Sequence, residues 1–111
     1  MQVHTGLGPG LLESVYKECF AYELRKAGVS LEQEKAVPLI YAGVKLECGY
    51  RMDLLVEKQI VVEIKSVEAI ADIHLAQILT YLRLSDNRFG LLINFNVVRL
   101  KDGIKRVVNG Y

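Results

Sequence analysis

The run that ends at Val56 and the run Ile60 to Lys65 are separated by only Glu57, Lys58 and Gln59, a spacing that calls for an antiparallel hairpin. With a three-residue connection, Val56 faces Ile60, Asp53 faces Glu63 and Arg51 faces Lys65. Strand side chains alternate, so these four charges are expected on one face. The other face then carries Tyr50, Met52, Leu54, Ile60, Val62 and Ile64. A two-residue turn at Lys58-Gln59 would instead send Asp53 away from Glu63. The turn holds no Gly or Asn to favour that tighter form, which supports the longer connection.

Asp53 beside Glu63 is unfavourable unless a cation or a proton intervenes. A hard divalent ion such as Mg2+ would remove the repulsion, with the backbone carbonyl of Ile64 as a further donor. Lys65 would then lie on the same face, able to orient water or neutralise charge on a phosphoryl group. The same pattern also fits a solvated network of Arg51, Asp53, Glu63 and Lys65, and spacing alone leaves both readings open.

Around this pair the chain reads as helix, three strands, helix, strand and a short tail. Leu12, Val15, Tyr16, Cys19, Phe20 and Leu24 recur at helical spacing between Leu11 and Ala27, and Gly28 is placed to stop them. Residues 33 to 41 alternate, with Pro38 indicating an edge or irregular strand. After a turn at Ala42-Gly43, Val44 to Val56 reads as one long strand bent at Gly49. Ile70 to Leu84 is helical again, and Phe89 to Phe95 is an apolar interior strand. Val97 to Leu100 and Ile104 to Val108 read as short final strands. This order predicts an α/β fold, a mixed sheet flanked by helices.

At 111 residues and 51% hydrophobic content, one domain over residues 1 to 111 with a sizeable core is expected. The net charge of +1 does not mark a general polyanion binder, so a nucleic-acid face has to be local. Arg99, Lys101, Lys105 and Arg106 are the candidates for gripping a backbone. Cys19 and Cys48 are too few and too widely spaced for a disulfide framework, which points to a reducing cytoplasm. Neither a signal peptide nor a membrane span is expected. Gly6, Gly8 and Gly10 precede a helix without the strand or the Gly-Lys-Ser/Thr of a phosphate loop, so they read as turn residues. His74 lacks a companion at zinc-ligand spacing and reads as a boundary histidine.

Arg51-Met52-Asp53-Leu54-Leu55-Val56 followed by Ile60-Val61-Val62-Glu63-Ile64-Lys65 resembles the PD-(D/E)XK nuclease superfamily. Gly10-Leu11-Leu12-Glu13-Ser14-Val15-Tyr16 resembles the signature of the GxxExxY protein family within it. Gly49 to Leu55, Gln77 to Leu82 and Leu92 to Asn96 extend the likeness over nearly the whole chain. The resemblance implies a restriction-endonuclease-like core and hydrolysis of DNA phosphodiesters, leaving a 3′-hydroxyl and a 5′-phosphate, with Mg2+ or Mn2+ as cofactor and RNA as a second candidate substrate. It implies Asp53 and Glu63 as metal carboxylates, Lys65 as catalytic lysine, Glu13 as an acidic contributor from the first helix and Gln77 as a polar one from the later helix. Met52 stands where the superfamily's name has Pro. Family members commonly carry further helical residues before the segment matching Val3-His4, so the chain reads as short at that helix.

Tyr16 shares a helical face with Glu13 and is expected to pack beside it or donate to its carboxylate, while Tyr81 sits one turn from Gln77. Two other classes of function remain open. One is a catalytically silent nucleic-acid or protein interaction module on the same fold. The other is an oligomerisation domain, such as a homodimer with its apolar tail over a sheet edge.

Overall fold

The computed structural model describes residues 1–47 and 49–110. Its elements in order are α1 (Gln2–Leu7), α2 (Glu13–Lys26), β1 (Leu31–Ala36), β2 (Leu39–Tyr41), β3 (Val44–Leu46), β4 (Arg51–Val56), β5 (Ile60–Lys65), α3 (Asp72–Ser85), β6 (Phe89–Asn94), a 3-10 turn (Leu100–Gly103) and β7 (Ile104–Val108). Five strands form one sheet in the order β1-β4-β5-β6-β7, and β2-β3 form a separate hairpin. Only β5 and β6 run parallel, joined through α3, while the other pairs are antiparallel. A mixed sheet between helices is the expected α/β architecture.

Each sheet face buries its own cluster. Tyr16 and Ala21 of α2 pack on Leu54, Val62, Ile64, Ile93 and Phe95, with Val3 of α1 at the margin. On the other side, Ile78, Tyr81 and Leu82 of α3 pack on Met52, Leu55, Val61 and Leu92. Gly90 allows the close approach of α3, because a Cβ there would stand 3.0 Å from Ile78. Gly103 is more constrained still. A Cβ at that position would meet the Asn94 carbonyl oxygen at 2.1 Å.

Several expectations need correction. The chain opens with a short helix, α1, where the residues alone read as a turn-rich lead and only the family resemblance placed a helix at Val3-His4; His4 fixes it through Nε2 to the Val97 carbonyl at 2.6 Å. Residues 33 to 41 do not make one strand, since β1 and β2 are separate elements on either side of Val37-Pro38. Val44 to Val56 is two strands in different sheets, with Gly49 at φ 78° in the connection; Cys48 lies outside the described residues. Val97 to Leu100 forms no strand but leads into the 3-10 turn, where Gly103 closes against Asn94.

The hairpin register is the expected one, with Val56 opposite Ile60, Leu55 opposite Val61 and Leu54 opposite Val62. Glu57 and Lys58 reach positive φ, 53° and 57°, without a glycine. Glu57 is held there by its amide to the Ser30 carbonyl and its carboxylate from the Ser30 amide.

The division of faces differs from the expectation. Leu54 packs on the α2 side, but Met52 packs on the α3 side, and Tyr50 meets Tyr81 there edge-on. Strict alternation would keep all three together, so β4 turns over at Asp53. Its neighbour does the same. Gln33 pairs with Leu54 and Lys35 with Met52, while Glu34 between them has φ 50°. Asp53 therefore sits where the pleat inverts, open to contacts from both layers.

Candidate functional site

The β4–β5 ladder is continued by side chains beyond Leu54–Val62. The Asp53 amide donates to Glu63 Oε2 at 2.7 Å, and the Ile64 amide donates to Asp53 Oδ2 at 2.7 Å. Each carboxylate thus takes the place of a backbone acceptor and is locked to the opposite strand. Asp53 is 9% exposed and Glu63 3%. Burial and then the charge of Asp53 push the Glu63 carboxyl up to about 8, against the opposing pull of its backbone hydrogen bond and of Lys65 and Lys17. Without a cation, burial and mutual repulsion thus favour a proton on the pair.

Different helices serve the two carboxylates. From α2, Lys17 places Nζ 3.4 Å from Asp53 Oδ1, 3.3 Å from Glu34 Oε1 and 3.9 Å from Glu13 Oε2. Partial burial works against its charge, but Asp53 and Glu34 outweigh that and hold the ammonium above its ordinary pKa. On the α3 side, Lys65 Nζ donates to Gln77 Oε1 at 3.4 Å. Tyr50, Lys65, His74, Gln77 and Tyr81 line an open cleft of about 460 Å³. Burial, followed by the charges of Glu63 and Asp53, raises the Tyr81 phenol.

Of the sequence-derived candidates, Asp53 and Glu63 meet directly, Lys65 meets Gln77, and Glu13 approaches Asp53 through Lys17. Arg51 turns away, donating to the Glu34 carbonyl at 3.3 Å, so the expected face of four charges is not formed. Tyr16 does not donate to a carboxylate. It is fully buried, stacks on Phe95 at 4.7 Å, donates to the Gly8 carbonyl and accepts from the Leu11 amide. It thereby ties down the loop from which Glu13 starts α2, and Ser66, just after β5, secures the same loop through the Leu11 carbonyl. His74 caps its helix, accepting at Nδ1 from the Ala71 amide.

Arg99, Lys101, Lys105 and Arg106 are all exposed. They come from two elements. Lys105 and Arg106 are adjacent on edge strand β7 and point to opposite faces, while Arg99 and Lys101 flank α1.

Two contributors were not singled out from sequence. Lys17 is visible in hindsight as the i+4 partner of Glu13. Asn94, 2% exposed, accepts from the Val67 and Asn96 amides and donates to the Val67 carbonyl, fixing the segment that follows Lys65. Its signals were a polar residue ending an otherwise apolar strand and its place in the Leu92 to Asn96 likeness, neither of which gave it this role.

Among the described residues, no group of three or more His, Cys, Asp or Glu side chains could hold a metal. Mg2+ makes a smaller demand, one or two carboxylates completed by water and substrate oxygens. Asp53 and Glu63 fit that demand, because the amides engage only Oδ2 and Oε2, which leaves Glu63 Oε1 and, once Lys17 withdraws from it, Asp53 Oδ1. The Ile64 carbonyl lies in the same stretch of β5.

No curated protein and no solved structure matches the chain. Residues 1–107, spanning all three helices and all but the last residue of β7, match the PD-(D/E)XK nuclease superfamily, whose α/β core of a mixed sheet flanked by helices is the architecture described above. The chain belongs to the PD-(D/E)XK nuclease superfamily.

Proposed function

We propose that this chain is a metal-dependent nuclease domain of the GxxExxY group that hydrolyses DNA phosphodiester bonds. The observation that carries the reading is the buried, interlocked pair Asp53 and Glu63, with Lys65 at the carboxyl end of the same strand. Two carboxylates buried together are costly, and a site that keeps them is suited to a cation.

Asp53 and Glu63, with the Ile64 carbonyl, would hold Mg2+ or Mn2+, which supplies Lewis-acid charge beside the scissile phosphate when bound. Lys65 supplies an ammonium for charge that develops on the phosphoryl oxygens. Gln77 restrains that ammonium, and the buried Tyr81 lines the same cleft. Glu13, half-exposed at the start of α2 and 3.9 Å from Lys17 Nζ, would accept a hydrogen bond from the attacking water.

The decisive measurement is a cleavage panel of single-stranded, duplex and branched DNA and of RNA with Mg2+ or Mn2+. The parent is expected to cut DNA, Asp53→Ala to lose cutting, and Lys65→Ala to lose about two to three orders of magnitude while still folding and binding metal. Equal cutting by Lys65→Ala would overturn the assignment.

A second reading, a catalytically silent nucleic-acid-binding module, draws on the ammonium of Lys17 against Asp53. It predicts that nucleic acid bound by the protein emerges uncut with either ion.

A further inference from the structure

Lys17 stands at the oxygen a metal would need. Asp53 Oδ2 already accepts from the Ile64 amide at 2.7 Å, so the oxygen left for a cation is Oδ1, and Lys17 Nζ is 3.4 Å from it. A divalent ion bound to Oδ1 would lie within a few ångströms of the ammonium, and like charges at that distance repel strongly in a partly buried site.

The surroundings give Lys17 somewhere else to go. Glu34 holds the same nitrogen at 3.3 Å and Glu13 lies at 3.9 Å, both more exposed than Asp53. Losing Asp53 therefore costs the ammonium one of three partners. Three carboxylates around one ammonium also leave net negative charge, which a divalent ion would meet on approach.

We propose that Lys17 is a tethered counter-ion of the metal-free site, occupying Asp53 until a divalent cation displaces it toward Glu34 and Glu13. This inference rests on the reading of Asp53 and Glu63 as a metal-binding pair. Lys17 is a positioning residue in this role: it sets the metal affinity of Asp53 and keeps that carboxylate compensated when the ion is absent. The arrangement makes occupancy of the site depend on the free concentration of divalent ion, because the cation must compete with a group that never leaves the protein.

The test is calorimetric titration of Mn2+ into chelator-treated parent, Lys17→Met and Lys17→Arg proteins, with thermal melts of each in the absence of metal. Lys17→Met is expected to bind Mn2+ on the order of tenfold more tightly. The same variant is expected to melt at a lower temperature than the parent when metal-free. Lys17→Arg, which keeps the charge, is expected to stay near the parent in both. Lys17→Gln replaces Lys17→Met if the latter fails to give a folded circular-dichroism spectrum. A structure of the Mg2+-loaded parent reads the same event without mutation, and the contact between Lys17 Nζ and Asp53 Oδ1 is expected to be lost there.

Unchanged or weaker Mn2+ binding by the charge-removed variant, with normal binding by the parent, would overturn the inference and leave the metal reading standing. So would an Mg2+-loaded parent that retains the Lys17–Asp53 contact. Absence of Mn2+ binding in every protein would overturn the metal reading, and this inference with it.

Discussion

The chain contains two hairpins of opposite character. β4–β5 is buried along most of its length between α2 and α3, whereas β2–β3 stands apart as its own two-stranded sheet with Ile40, Tyr41 and Val44 exposed. A lone two-stranded ribbon is marginal in water, while a pair sandwiched between helix layers inherits the stability of the core. The difference shows what a buried carboxylate pair requires. Asp53 and Glu63 are tolerated because strands held rigidly on both faces present amides at fixed places to bind them.

The largest expected effect uses the proton on Glu63. Its carboxyl titrates near 4.5 in the unfolded chain and about 8 in the folded one. Between those values the folded state binds more proton, so stability is complete below the lower value, falls as pH rises and levels off above the higher. The loss for an isolated group of this kind is on the order of 5 kcal/mol. Glu63→Gln should flatten that slope, so that chelator-treated variant and parent have similar urea midpoints near pH 5 and the variant is the more stable near pH 8. Parallel pH profiles would show that the pair carries no such proton and would remove the main distinction of the buried hairpin.

A smaller effect separates the hairpins by packing. Leu54 is 1% exposed and Ile40 59%. Leu54→Ala should cost about 3 kcal/mol, and Ile40→Ala less than about 0.5 kcal/mol, by urea unfolding. Comparable losses would mean that β2–β3 packs against the body of the protein as firmly as β4–β5.

The same contrast governs how much could be read in the sequence. The buried hairpin was legible, register included, because its apolar alternation and a three-residue connection leave few solutions, and the register then brings Asp53 to Glu63. Its inversion at Asp53 was not legible. That feature depends on β1, where Glu34 adopts positive φ, and nothing local to Arg51–Val56 announces it. Helix α1 was legible only through the family resemblance, because a six-residue segment with glycine at Gly6 has little helical signal of its own. Its order comes from tertiary contacts such as His4 to Val97. Lys17 escaped attention for a related reason: a lysine four residues after a glutamate is ordinary on a helix, and only the fold brings Glu34 and Asp53 to it. Of the two roles open to Tyr16, packing and donation to a carboxylate, the structure shows the packing. Its spacing from Glu13 is real, but the hydroxyl points back to Gly8 rather than toward a carboxylate.

The turns allow the finest test of whether the hairpins are independent. Lys58 holds φ 57° without being glycine, and Gly43 holds φ 76° in the β2–β3 turn. An L side chain in that region costs about 1–2 kcal/mol, partly offset by the larger unfolded-state entropy of glycine. Lys58→Gly should therefore stabilise the protein by about 0.5–1 kcal/mol and raise the urea midpoint, because the β4–β5 turn is strained inside the cooperative core. Gly43→Ala introduces the reverse strain into a ribbon that can open by itself. Its expected signature is faster amide exchange at Val44 to Leu46 with an unchanged urea midpoint. If Gly43→Ala lowers the midpoint as much as Lys58→Gly raises it, the two hairpins unfold as one unit, and the stability of the buried carboxylate pair extends to the outer ribbon as well.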